Sequence, residues 1–148
     1  MRIKVAVAVA AFSVAFAGVA IGQDSPIPAR QELMKMNGAA MKAASQMAKG
    51  EKPYNEAEAA EAMKIIADDM DSFPGLFPAD SMDGGDTRAS PKIWEDMDGF
   101  KAAAAKAASN ARAAQAAAAD GVDAFKMALG AVGASCGSCH EDYRLSKK

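Results

Sequence analysis

The sequence predicts an all-α fold, an antiparallel four-helix bundle. Three observations lead there. Four stretches carry apolar residues at steps of three and four, the period of a helix with one buried face. Each stretch is bounded by proline, glycine or a residue suited to cap a helix. No stretch alternates apolar and polar residues as a half-buried strand would. The 148 residues suit one domain, and four helices joined mostly by short turns can each bury one face in a bundle.

The bundle begins after a leader. Met1 to Gly22 has a basic start (Arg2, Lys4), an apolar run from Val5 to Ile21, and small residues at Ala20 and Gly22. That pattern is a secretory signal peptide, too short for a confident membrane span, and it leaves residues 23–148 as the folded domain. The net charge of −2 becomes about −4 once Arg2 and Lys4 are removed with no acids. An acidic domain of this kind does not suit nucleic acid, which requires a basic face.

The first helix is expected over Arg30–Lys49, with Leu33, Met36/Asn37, Ala40, Ala44 and Met47 on its inner face. Met34, Gly38 and Met41 form a second stripe beside them. Pro26 and Pro28 lie in a loop or a first turn. Gly50 and Lys52-Pro53 stop the helix. Asn55 opens the second, with Glu58 three residues on as an approximate capping box. Its inner face is Ala59, Ala62/Met63, Ile66, Met70 and Phe73, and Pro74-Gly75 ends it. Leu76–Ala89 has no period of its own. It is long for a compact domain and is expected to have a role of its own, such as covering the edge of a cofactor.

Ser90-Pro91 starts the third helix, which should run unbroken to about Ala119. Ile93/Trp94, Met97, Phe100, Ala104, Ala107/Ala108, Ala111 and Ala114 face inward, while Lys101, Lys106, Arg112 and Gln115 face water. Asp120-Gly121 closes it. The fourth helix carries Val122, Phe125, Leu129, Val132, Cys136, Cys139/His140 and Tyr143 on one face. Gly130, Gly133 and Gly137 are expected to leave room there for something flat.

That last face ends in Cys136-Gly137-Ser138-Cys139-His140. In an exported protein C-x-x-C-H is the attachment site of c-type haem. Spacings of three and four put both thiols and the imidazole on one side of the helix, so two sulfurs can reach the two vinyl groups while His140 sits under the iron. Other readings are a disulfide, a thioredoxin-like pair and part of a zinc site. Zinc needs further Cys or His ligands, and the chain has only two cysteines and one histidine. A thioredoxin-like pair needs βαβ surroundings. One covalent haem c per chain would also supply apolar surface that a core poor in aromatics (6 % of residues) and rich in alanine lacks.

His140 fills one axial position, and without a second histidine the other ligand is methionine, lysine, another residue, water or nothing. Spacing does not choose among the nine methionines after the leader. Asp68, Asp69 and Asp71 are best read as a charged helix face. No nucleophile–base pair or phosphate loop is present, so the chain is not expected to be an enzyme.

The whole domain resembles the class II cytochromes c, the family that includes cytochrome c′. The residues that carry the likeness are Cys136-x-x-Cys139-His140-x-x-Tyr143-Arg144, Asp83-Gly84-Gly85-Asp86-x-Arg88, Ser90-Pro91-Lys92-Ile93-Trp94, and Arg30-Gln31 with Met34 four after Arg30. Leu33-Met34-Lys35, Asn37-Gly38 and Ala48 to Tyr54 are most similar to the low-spin cytochrome c-556 type. This resemblance implies Met34 as distal iron ligand and Arg30 and Gln31 near the haem propionates. It implies a periplasmic electron carrier serving redox partner proteins, often a homodimer through its first two helices. The alternative it carries is a cytochrome c′-like binder of nitric oxide or carbon monoxide with an open distal site. A weaker one is a haem that only stabilises the bundle. Trp94 and Tyr143 read as packing, and Arg144 as a neighbour of the imidazole or a solvent-facing residue.

Overall fold

The computed structural model describes residues 26–83 and 85–146. The leader at residues 1–22 lies outside the described residues. Four long helices, α1 (Pro26–Ala48), α2 (Glu56–Ser72), α4 (Met97–Ala117) and α5 (Val122–Tyr143), form the bundle, and a single-turn α3 (Lys92–Glu95) precedes α4. No described segment forms a strand beyond one isolated bridge between Ala89 and Arg144. No described helix is long and apolar enough to cross a membrane.

α1 starts a turn earlier than its period suggests, because Pro26 and Pro28 occupy its first turn, where a missing N–H costs nothing. It ends in a Schellman turn. Gly50 takes a positive φ of 72°, its N–H bonds to the Met47 carbonyl at 3.1 Å, and Glu51 N–H bonds to that of Gln46 at 2.9 Å. Asn55 caps α2, its side chain accepting from Glu58 N–H at 2.9 Å. The Glu58 carboxylate does not return the bond; it pairs with Lys52.

The third helix is not continuous. At Asp96 the backbone leaves the helical region (φ −134°, ψ 62°), and the Asp96 side chain caps α4 by accepting from Gly99 N–H at 3.0 Å. An Asp followed three residues later by a free N–H is an N-cap in its own right, and it resets the chain between α3 and α4.

The two ends of the bundle differ. At the end holding the α1–α2 and α4–α5 turns, side chains fill the interior. Tyr54 donates to the Ala118 carbonyl at 2.6 Å and packs on Phe125. Met47, Met63, Ala59, Ala108, Ala111 and Phe125 are fully or almost fully buried there. Small residues along α4 bring it close to α2, which a larger side chain would prevent. At the other end the interior is open between α1 and α5. There a cluster of aromatic rings, Phe73, Phe77, Trp94, Phe100 and Tyr143, stands beside a cavity.

Candidate haem site

The cavity encloses about 580 Å³ and is walled mostly by apolar side chains. That size is within the range of cofactor sites. α1 contributes Ile27, Met34 and Met41, and α2 contributes Ile66 and Met70. Phe100, Ala104 and Ala107 come from α4, and Cys136, Cys139, His140 and Tyr143 from α5. The pentapeptide therefore opens into the bundle, as its place on the core-facing stripe predicts.

Cys136 and Cys139 are both half-buried free thiols. Burial pushes both above their ordinary pKa, and the neighbouring Cys136 and Asp142 add to the effect at Cys139. A dithiol built for redox exchange needs the opposite shift. His140 is half-buried, and burial, then Arg144 and Arg88, lower its pKa. The imidazole is thereby kept neutral, the form that binds a metal. No group of three His, Cys, Asp or Glu able to hold a metal ion occurs among the described residues.

The segment after the 76–89 loop clamps the end of α5. Ser90 N–H bonds to the Tyr143 carbonyl at 3.0 Å and Leu145 N–H to that of Arg88 at 2.8 Å. The Arg88 guanidinium donates twice to the Leu145 carbonyl, and Lys92 pairs with Asp142 at 2.7 Å. Asp86 to Ala89 line the cavity rim, the place expected of a loop that covers a cofactor edge. On the other side of α5, Asn110 donates to Ser135 Oγ at 2.6 Å, and Ser135 donates to the Ala131 carbonyl at 3.0 Å. This pair, Ser135 buried and Asn110 half-buried, which the sequence period does not reveal, pins α5 to α4 beside Cys136.

Three methionines line the cavity: Met34, Met41 and Met70. Met47 and Met63 belong to the filled end, and Met36, Met82 and Met127 are exposed.

Arg30 is in the second turn of α1, and it is buried rather than solvated. Its Nε donates to the Leu76 carbonyl at 2.6 Å, Nη1 to the Ser81 carbonyl at 3.1 Å, and Nη2 to Ser81 Oγ. The guanidinium stacks 4.0 Å over the Phe77 ring. These bonds leave one N–H free on each terminal nitrogen, and the residue still reaches the cavity wall. Gln31 is exposed, lines the rim, and donates to the Asp86 carbonyl. Arg144 is also exposed at the rim.

Some expectations change. Gly130, Gly133 and Gly137 do not line the cavity, so they leave no room for a ring; Gly38 is the glycine on its wall, and a Cβ there would meet open space. Asp68 and Asp71 are a charged face, paired with Lys64 and Arg112.

A family profile described as Cytochrome C' matches residues 25–144. The chain belongs to the cytochrome c′ family. It is 40% identical over 147 residues to the cytochrome c′ of Rhodopseudomonas palustris, covering 99% of each chain. It is 36% identical, again over 99% of each, to a cytochrome c-556 of Agrobacterium fabrum. The solved cytochrome c′ from R. palustris superposes with a TM-score of 0.80 at 41% identity, covering 85% of this chain and all of that one. The cofactor of this cytochrome c′-family chain is one covalent haem c, and its function is electron transfer or gas binding. The residues present fit that group: an apolar cavity, with two thiols and a neutral imidazole on one helix face.

Proposed function

We propose that this cytochrome c′-family protein is an exported electron carrier, with Cys136 and Cys139 as the thioether anchors, His140 as proximal ligand and Met34 as distal ligand. The single observation that supports it is that α1 brings Met34, and α5 brings the two thiols and His140, to walls of the same cavity. The haem supplies one-electron chemistry at its iron. The chain supplies the rest and makes or breaks no bond of a substrate. Met34 offers a thioether, which favours the ferrous state. The Ser135–Asn110 pair and the clamp at Ser90 hold the α5 backbone on both sides of the pentapeptide. Arg30 and Gln31, on the first turns of α1, are the propionate contacts of this reading.

Export to the periplasm follows from the leader pattern of Met1–Gly22. Self-association uses α1 and α2, where Met36 and Ile65 are exposed (45 % and 36 %). Redox partner proteins are the other partners.

The 40% identity to a cytochrome c′ supports a second reading, a binder of nitric oxide or carbon monoxide at an open distal site. The optical spectrum of the reduced protein with and without carbon monoxide separates the two. A six-coordinate low-spin spectrum indifferent to the gas is expected. A high-spin ferrous spectrum that shifts promptly with it would establish the second reading instead.

A further inference from the structure

Asn37 is 9 % exposed, lines the cavity, and has an enclosed Oδ1 with no hydrogen-bond partner among the described residues. It stands one helical turn from Met34 on the same side of α1. The other buried polar side chains of the cavity have protein partners, Arg30 in Leu76 and Ser81 with one N–H left on each terminal nitrogen, and Ser135 in Asn110 and Ala131. A buried amide oxygen without a donor is costly. Neither a porphyrin face nor a thioether sulfur carries an N–H or O–H to satisfy it. The amide nitrogen is not among the enclosed unpartnered atoms and has no partner among the described residues, so its N–H groups already stand at the more open end of this cavity-lining side chain. What such a group wants is an acceptor.

We propose that Asn37 is the hydrogen-bond donor of the distal haem face, holding the acceptor atom of a small anionic or polar ligand that takes Met34's place on the iron. The proposal rests on the haem orientation above, with α1 on the distal side. It concerns specificity. A site built around a hydrogen bond favours ligands that can accept one. Azide, cyanide and hydroxide accept strongly, whereas carbon monoxide, a poor acceptor, gains little. The surrounding wall of Met41, Ile66 and Met70 offers no competing donor.

The test compares haem-loaded Met34→Ala with the same protein carrying Asn37→Leu as well. The second change should weaken azide binding to ferric iron roughly tenfold, the worth of one bond to a charged acceptor, and change carbon monoxide affinity on ferrous iron less than about twofold. Azide affinity that stays the same, or azide and carbon monoxide affinities that fall together, would overturn the proposal, the latter marking a change of pocket shape. If Met34→Ala leaves the low-spin spectrum intact, the distal-ligand reading fails and Asn37 is tested without it. In the ferrous, carbon monoxide-saturated protein, its side-chain amide protons are assigned by their loss in Asn37→Leu. They should be displaced by the porphyrin ring current; ordinary positions for them would sink the proposal.

Discussion

Tyr143 Oη lies 3.3 Å from Asp96 Oδ2, joining the last turn of α5 to the break between α3 and α4. The same carboxylate caps α4 through Gly99 N–H. Gly99 is needed for this approach: a Cβ there would stand 2.7 Å from Tyr143 Oη and closer still to Asp96. Neither atom is the free end of a flexible chain. Gly99→Ala should therefore cost about 1–3 kcal/mol of stability, read by urea unfolding of the haem-loaded protein. A variant as stable as the parent would show that the Asp96–Tyr143 contact is dispensable.

Alkaline pH should loosen the same contact. Burial, then Asp96, raises the pKa of Tyr143 above its ordinary value of 10.0. A raised pKa means that the folded state holds the phenolic proton more tightly than the unfolded chain. The stability it contributes is whole below about pH 10 and is lost as pH climbs through the folded value. Tyr54 is raised too, by burial and Glu56. Tyr143→Phe should flatten the fall in unfolding free energy above pH 10, leaving the part due to Tyr54. An unchanged slope between parent and variant would remove Tyr143 from the account.

These contacts mark where the sequence stops being legible. The four long helices announce themselves because apolar spacing, the Asn55 cap and Gly50 all agree with the packing that forms. The break at Asp96 stays hidden because Ile93, Met97 and Phe100 keep a helical step across it, and only the Asp-x-x-Gly spacing betrays the second cap. Arg30 is picked out only by the resemblance, because the partners that bury it lie 46 and 51 positions away, in a loop without periodicity. The α5 glycines mislead for a related reason. Their place near a haem motif suggests clearance for a ring, but none of the three lies on the cavity wall.

Arg30 should be among the least replaceable residues of the loop end. It satisfies the carbonyls of Leu76 and Ser81 and covers Phe77. Arg30→Met keeps much of the apolar stem and removes every donor, so it should cost about 1–3 kcal/mol. Arg30→Lys should not restore the loss, because a point charge cannot span two carbonyls and stack on a ring. Thermal unfolding of the two variants beside the parent measures this; full rescue by lysine would mean that charge alone matters.

The three cavity methionines give distinct expectations. Met34→Ala should open the sixth position and produce a high-spin spectrum. The midpoint potential should fall by at least about 59 mV, a tenfold loss in the ferrous preference. Met70 is buried (9 % exposed) in the core. Met70→Ala should keep the low-spin spectrum while costing about 2–5 kcal/mol. Met41→Ala should also keep it. A low-spin spectrum that survives Met34→Ala and disappears with Met41→Ala or Met70→Ala would reassign the ligand.

The deepest dependence is between haem and fold. α4 presents alanine at Ala104, Ala107, Ala108, Ala111 and Ala114, all buried, and each contributes far less apolar area than leucine would. Met47, Met63 and Phe125 fill one end, while the other end, for all its aromatic rings, surrounds about 580 Å³ that no side chain occupies. A bundle with that much unfilled volume forfeits packing along α1, α2, α4 and α5 at once. Cys136→Ser with Cys139→Ser removes the covalent anchors with little change in volume. The double variant should carry no covalently bound haem, unfold over a broad range of temperature, and show less helix by circular dichroism than the parent. A sharp, parent-like transition in a colourless chain would mean that the alanine-rich core holds the bundle together without its cofactor.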